Sequence, residues 1–142
     1  MKSFVFPLLL FVCSSFSQDT ARWRVSLNNK TIFSADSESE EKNQLGISRA
    51  ALKAGKKITV IYTQADAPPQ KEWKRVFGIF DASGNELDRK ETASLKLDAA
   101  TVKKWLIDKK TIKIYTWSLP KDPAQAARVR VRRVHLCNFW LK

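Results

Sequence analysis

The sequence predicts an all-β fold: a two-sheet antiparallel β-sandwich of immunoglobulin-like style, with one or two short helical turns. Three observations carry that expectation. Runs of β-branched and aromatic residues are short, turn residues separate them at regular spacing, and apolar character alternates with a period of two. A small closed barrel satisfies the same pattern, as does an α+β domain if two segments form full helices.

Trp23, Val25 and Leu27 alternate with Arg22, Arg24 and Ser26, as a strand with one buried face requires. Asn28-Asn29 follows, and asparagine tolerates the left-handed conformation of a tight hairpin. Thr31 to Phe33 is the return strand. Residues 34–43 are polar and acidic with no apolar anchor, so they read as a mobile loop. Ile58 to Thr63 is rich in β-branched residues and reads as a central strand. A loop with Pro68-Pro69 leads to a strand from Trp73 to Phe80. Asp81 to Asn85 supplies turn chemistry, and Glu86-Leu87 begins the return. Leu95 and Leu97 open a short strand, and Thr111 to Trp117 forms another. Leu119 to Pro123 holds two prolines and cannot be sheet interior, because proline removes a ladder donor. Arg128 to Leu141 reads as one long strand, or two joined at a bulge.

A short internal repeat supports this layout. Leu45 to Leu52, followed by Lys56-Lys57 and Ile61-Tyr62-Thr63, matches Leu95 to Val102, followed by Lys109-Lys110 and Ile114-Tyr115-Thr116. Each copy reads as a short strand, a helical turn capped by Ser48 or Asp98, and a β-branched strand ending in Tyr-Thr. A hairpin precedes each copy. The second helix is expected to be the longer, since Val102, Trp105 and Leu106 keep helical spacing.

The N-terminus adds an address. Lys2 precedes an uncharged run from Phe4 to Cys13, too short to span a bilayer and of the length of a signal-peptide core. Ser15 and Ser17 are the small residues that a cut before Gln18 needs. Residues 1–17 are therefore expected to be a secretory signal peptide, and residues 18–142 a single β-rich domain, secreted or periplasmic. Val12 argues against lipidation at Cys13, where a small residue precedes the cysteine. Removing residues 1–17 takes away Lys2 alone among charged side chains, so the formal charge falls only from +12 to +11. Cys137 is then the last cysteine, and the domain rests on its core without an internal disulfide.

Few residues offer chemistry. His135 and Cys137 sit in the apolar run from Val134 to Leu141. Two residues apart on a strand they share a face, but no carboxylate orients them as a dyad. One histidine and one mature cysteine cannot fill a zinc site, and no cofactor is expected. Asp81, Glu86 and Asp88 cluster about a turn and give the alternative of a small secreted hydrolase using a carboxylate pair.

Arginine is the feature that stands out. Arg128, Arg130 and Arg132 alternate with valines, so on a strand they form a row of planar donors suited to carboxylates, sulfates or phosphates. Trp73 lies between charges after the diproline loop, and Trp117 lies at a strand end, where an indole can stack on a flat ligand. Trp23 and Trp140 fit core stripes. Lys103, Lys104, Lys109, Lys110 and Lys113 are a more diffuse basic set. Asn29-Lys30-Thr31 is a glycosylation sequon, relevant only in a eukaryotic source.

The Phe-rich leader ending in Ser15-Phe16-Ser17-Gln18 is similar to export signals of Bacteroidetes-type bacteria. Tyr62-Thr63 and Tyr115-Thr116 end matched strands, and Leu119 to Pro123 leads into Arg128–Cys137. In this layout the chain resembles uncharacterised small secreted β-sandwich proteins of Bacteroidetes type. That resemblance implies a fold style and a bacterial envelope compartment, and carries no site residues with it.

The expected function is that of an exported, non-enzymatic binding or structural module. It contacts an acidic partner (anionic polysaccharide, lipid headgroup or protein) through the basic strand face. Arg128, Arg130, Arg132, Trp73 and Trp117 are the candidate ligand-binding residues. Export argues against nucleic acid as the partner, and no mature segment is apolar enough to be a transmembrane span.

Overall fold

The hairpin that opens the domain forms where the alternation predicts it. In a computed structural model, which describes residues 21–64 and 71–142, β1 (Arg22–Leu27) pairs antiparallel with β2 (Lys30–Ala35). Asn28 and Asn29 make the turn with φ of 53° and 70°, which asparagine reaches at little cost. Trp23 and Val25 are buried while Arg22 and Arg24 are exposed. The expected signal peptide and the Pro68-Pro69 loop lie outside the described residues.

The remaining elements are β3 (Gln44–Ile47), β4 (Lys57–Thr63), β5 (Trp73–Asp81), β6 (Glu86–Glu91) and β7 (Ser94–Asp98). After them come α1 (Ala99–Lys109), β8 (Thr111–Pro120), the single turn α2 (Pro123–Ala126) and β9 (Val134–Leu141). Strands hold 53% of this structure and helices 13%, so the fold is mostly β. There are two sheets, ordered β2-β1-β4-β7 and β3-β9-β8-β5-β6, and they do not close into a barrel. Pairing is antiparallel except between β3 and β9. No described helix is long and apolar enough to cross a membrane.

The repeat has a topological counterpart. In the first half the order β2-β1-β4 places the hairpin beside its returning strand, and in the second half β6-β5-β8 does the same. The intervening strand crosses over in each case: β3 joins the second sheet and β7 joins the first. The halves thus exchange their third strands, and β9 fills the place between β8 and β3. The helical parts are not matched. Ser48–Ala54 holds turns alone, although the Ser48 hydroxyl accepts the Ala51 amide at 3.2 Å as a cap would. α1 runs eleven residues, and Asp98 at its N-cap makes no side-chain bond to the backbone amides.

One core joins the two sheets. Trp23, Val25, Ile58, Val60, Leu95 and Leu97 of the first meet Phe77, Ile79, Ile112, Ile114, Leu136 and Phe139 of the second. Val102 and Leu106 of α1 close one side. Trp23 crosses between sheets with its indole N–H, which donates to the buried Leu136 carbonyl at 2.9 Å. Burying tryptophan at this depth calls for such a partner.

Three local expectations are corrected. Arg128–Arg133 is not strand: β9 begins at Val134, and Val129 and Val131 are 36% and 38% exposed. Trp140 does not fill a core stripe; it is 40% exposed and lies across Gly46, where a β-carbon would meet Trp140 Cζ2 at 2.7 Å. Leu119 and Pro120 end β8 and pair with Lys74 and Trp73 alone, at the margin of the sheet rather than in its interior. The neighbouring strand β9 stops pairing at Thr116, so proline sits where its missing donor leaves no gap in that ladder. Residues 34–43 are not without an anchor. Asn43 is buried, its side-chain amide donates to Ser37 O at 2.9 Å, and its carbonyl accepts the Asn138 amide at 2.9 Å.

Candidate functional site

The arginine segment begins where the ladder between β8 and β9 ends, at Thr116 paired with Val134. Glu38, from the loop after β2, holds this point. One of its carboxylate oxygens accepts the His135 amide at 2.9 Å, and the other accepts from the Arg132 guanidinium. Upstream, α2 is capped by Asp122, whose side chain accepts the Ala124 amide at 3.0 Å. Between these fixed points Arg128 and Arg130 are exposed, and among the described residues neither pairs with a carboxylate. The predicted row of three donors is therefore divided. Arg132 is engaged, and the other two stand on an irregular segment.

Trp117 is not an exposed platform. It is 4% exposed and packs with Val76 and Phe80 on the face of the second sheet turned away from the main core. Arg133 lies 4.9 Å from its ring centroid and Arg89 lies 5.3 Å from it. Arg133 also sits 5.0 Å from the Phe80 ring. The indole is thus covered by two cations.

Trp73 goes elsewhere. It begins β5 half-buried and lines a cavity of about 500 Å³ together with Tyr62, Gln64, Arg75, Thr92 and Ser118. Arg75 falls on the same side of β5 as Phe77 and Ile79, the phase that faces the core. Its guanidinium donates to Thr116 Oγ1 at 3.1 Å and to Ser118 Oγ at 2.9 Å, and lies 4.4 Å from the Tyr62 ring centroid. Burial lowers the Arg75 pKa and raises that of Tyr62. Among the described residues no carboxylate pairs with Arg75; Glu91 at the rim is held by Lys74 at 2.8 Å. Trp117 and Trp73 therefore face opposite sides of the second sheet, and none of Arg128, Arg130 and Arg132 lines the Trp73 cavity. Arg75, Tyr62 and Ser118 escaped sequence reasoning, although a cation in the apolar phase of Arg75, Phe77 and Ile79 was the available signal.

Comparison with protein-family models, curated proteins and solved structures finds no match.

The catalytic constellations weighed from sequence are placed as follows. A bulge in the β8–β9 ladder pairs Ile114 with Cys137 but Tyr115 with His135, so the two residues take opposite faces rather than one. Cys137 is fully buried in the core, and burial pushes its thiol pKa far up. His135 packs on Tyr115, with Nε2 2.7 Å from Asn138 Oδ1. Among the described residues, no group of three or more histidines, cysteines or acids could hold a metal ion.

The three clustered acids are each committed to local structure. Glu86 holds Arg89 through both carboxylate oxygens, at 2.7 and 3.0 Å, and Asp88 accepts the Arg89 amide at 2.8 Å. Asp81 Oδ1 accepts the amides of Asn85 and Ser83 at 2.9 Å each, and Oδ2 accepts the Asn85 side chain at 3.1 Å. The Asn85 amide, first among these, holds the Asp81 pKa below the ordinary aspartate value. A general acid needs the opposite shift. Gly84 completes this turn at φ 86°, a conformation glycine adopts freely.

A pH dependence follows from Asp81. Its folded pKa is depressed, so the stability it contributes is full above the unfolded value near 4 and is lost as pH falls through the folded value. The gap in melting temperature between wild type and Asp81→Ala is expected to be widest above about pH 5 and to close toward pH 2. Thermal melts of both proteins across that range check it; a constant gap contradicts it.

Proposed function

We propose that this chain is an exported, non-enzymatic binding module, built as a β-sandwich of immunoglobulin-like style, that holds an acidic partner through Arg128 and Arg130. The observation that carries this reading is their exposure, without an acidic partner among the described residues, on a segment fixed at its base by Glu38. A formal charge of +12, or +11 once residues 1–17 are removed, supports it, because a net field of one sign draws oppositely charged partners and disfavours basic ones. The sequence of residues 1–17, read as an export signal, supports an encounter outside the cytoplasm.

Energetics narrow the partner. An exposed ion pair contributes only about 0.2–1 kcal/mol, so two arginines hold a single small anion weakly. A partner that repeats its charges, such as an anionic polysaccharide, engages both arginines at once. An anionic lipid surface or an acidic protein offers the same chemistry.

The test is retention of the mature domain on an immobilised sulfated polysaccharide and on anionic vesicles, with neutral supports beside them. Retention at low salt is expected on one of the anionic supports. Arg128→Ser with Arg130→Ser is expected to weaken it about tenfold, from two lost contacts of about 0.7 kcal/mol each, within the exposed range. Arg132 is kept, because removing it would strip Glu38 of its partner. Absence of retention at low salt sinks the proposal.

A further inference from the structure

The cavity over Arg75 has neither Arg128 nor Arg130 in its lining. Partly burying a guanidinium is costly unless its donors are satisfied. Arg75 is held by two neutral hydroxyls and one aromatic face, at 3.1, 2.9 and 4.4 Å, leaving further N–H groups of its five to line the cavity. The Thr116 hydroxyl is fixed in turn, since it donates to Val76 O at 2.9 Å. It therefore accepts from Arg75 and cannot rotate away. The cation is aimed before any ligand arrives, which lowers the ordering cost of binding.

Around this cation stand an indole, several neutral polar groups, and the charged side chains of Lys74, Glu91 and Lys121, the first two of these paired with each other. Trp73 shares the Arg75 side of β5, two residues away. Ser118, Gln64 and Thr92 line the same space and offer hydroxyl and amide partners. The cavity, about 500 Å³, falls within the usual range for small-ligand sites, about 300–1,000 Å³. A fatty or purely aromatic acid would leave that polar wall unpaired. A neutral sugar would leave the guanidinium unpaired. A hydroxylated ring bearing one carboxylate satisfies both, with its apolar face against the indole.

We propose that this cavity binds a uronic acid unit, its carboxylate on Arg75, its hydroxyls on Ser118, Gln64 and Thr92, and its ring face on Trp73. The site does not depend on Arg128 and Arg130, and either can fail without the other.

Calorimetric titration of the mature domain with glucuronate, and with glucose as the uncharged counterpart, tests it. Glucuronate is expected to bind saturably, and at least about tenfold more tightly than glucose, as a charge-assisted hydrogen-bond pair implies. Arg75→Gln is expected to weaken glucuronate at least about tenfold while leaving glucose unchanged. Ser118→Ala and Trp73→Leu are expected to weaken glucuronate about threefold or more, from a lost hydrogen bond and lost ring contact. If Arg75→Gln does not fold, as its melt will show, these two variants decide the matter. Arg128→Ser with Arg130→Ser is expected to leave glucuronate affinity as it was. Absence of glucuronate binding, equal affinity for glucose, or folded variants of Arg75, Ser118 and Trp73 that all bind as wild type would overturn the assignment.

Discussion

Phe77→Ala is expected to lower the unfolding free energy by about 3–5 kcal/mol, read as the urea midpoint followed by tryptophan fluorescence. Phe77 is fully buried, at the middle of β5, and β5 lies between β6 and β8 in its sheet. Its ring belongs to the cluster that joins both sheets, so alanine opens a cavity that no loop can collapse into. Domains of this size commonly hold about 5–15 kcal/mol, and no disulfide is available to Cys137 among the described residues. The loss is thus a large share of the total. A change below about 1 kcal/mol would mean that the two sheets do not share this core.

Gly78→Ala is expected to cost about 1–3 kcal/mol although it adds a single methyl group. The added β-carbon would stand 2.6 Å from Phe80 Cε2 and 2.7 Å from Trp117 Cη2. Those rings cannot simply move aside, because Arg89 and Arg133 cover Trp117 and Arg133 also covers Phe80. A double-mutant cycle isolates the crowding. In the Trp117→Leu background the same substitution is expected to cost about 1 kcal/mol less, since the large ring is gone. Equal cost in both backgrounds would place the strain elsewhere.

What the sequence carried, and what it did not, follows from how far apart the deciding partners lie. The Arg22–Val25 alternation, the Asn28-Asn29 turn and the Asp81–Asn85 turn are local features, and each appears in the structure where the chain places it; past Val25 a bulge buries Ser26 and leaves Leu27 half-buried. Arg128–Arg133 carries the same period of two but forms no strand. A period of two specifies a strand only when one face finds something to pack on. Here the ladder stops at Thr116, and Glu38, 94 residues from Arg132 in sequence, fixes the departure. The β8–β9 bulge likewise parts His135 from Cys137, and a bulge leaves no mark in apolar spacing. Trp117 lost its solvent face to Arg89 and Arg133, neither adjacent to it in sequence. Arg75 was hidden by its neighbours. The charged run from Lys71 to Arg75 reads as surface, yet its last member faces Thr116 and Ser118 on β8, more than forty residues away, and Tyr62 on β4.

The most direct test of the arginine segment is the salt dependence of affinity for a sulfated polysaccharide, measured for wild type and for Arg128→Ser with Arg130→Ser. Each cation that neutralises a site on a linear polyanion steepens the fall of log K with log salt, by about 0.7–0.9 on nucleic acids. The paired substitution is expected to flatten the slope by roughly one to two, on that scale, with the melting temperature unchanged. Identical slopes and affinities for the two proteins would contradict the assignment of the binding surface to Arg128 and Arg130.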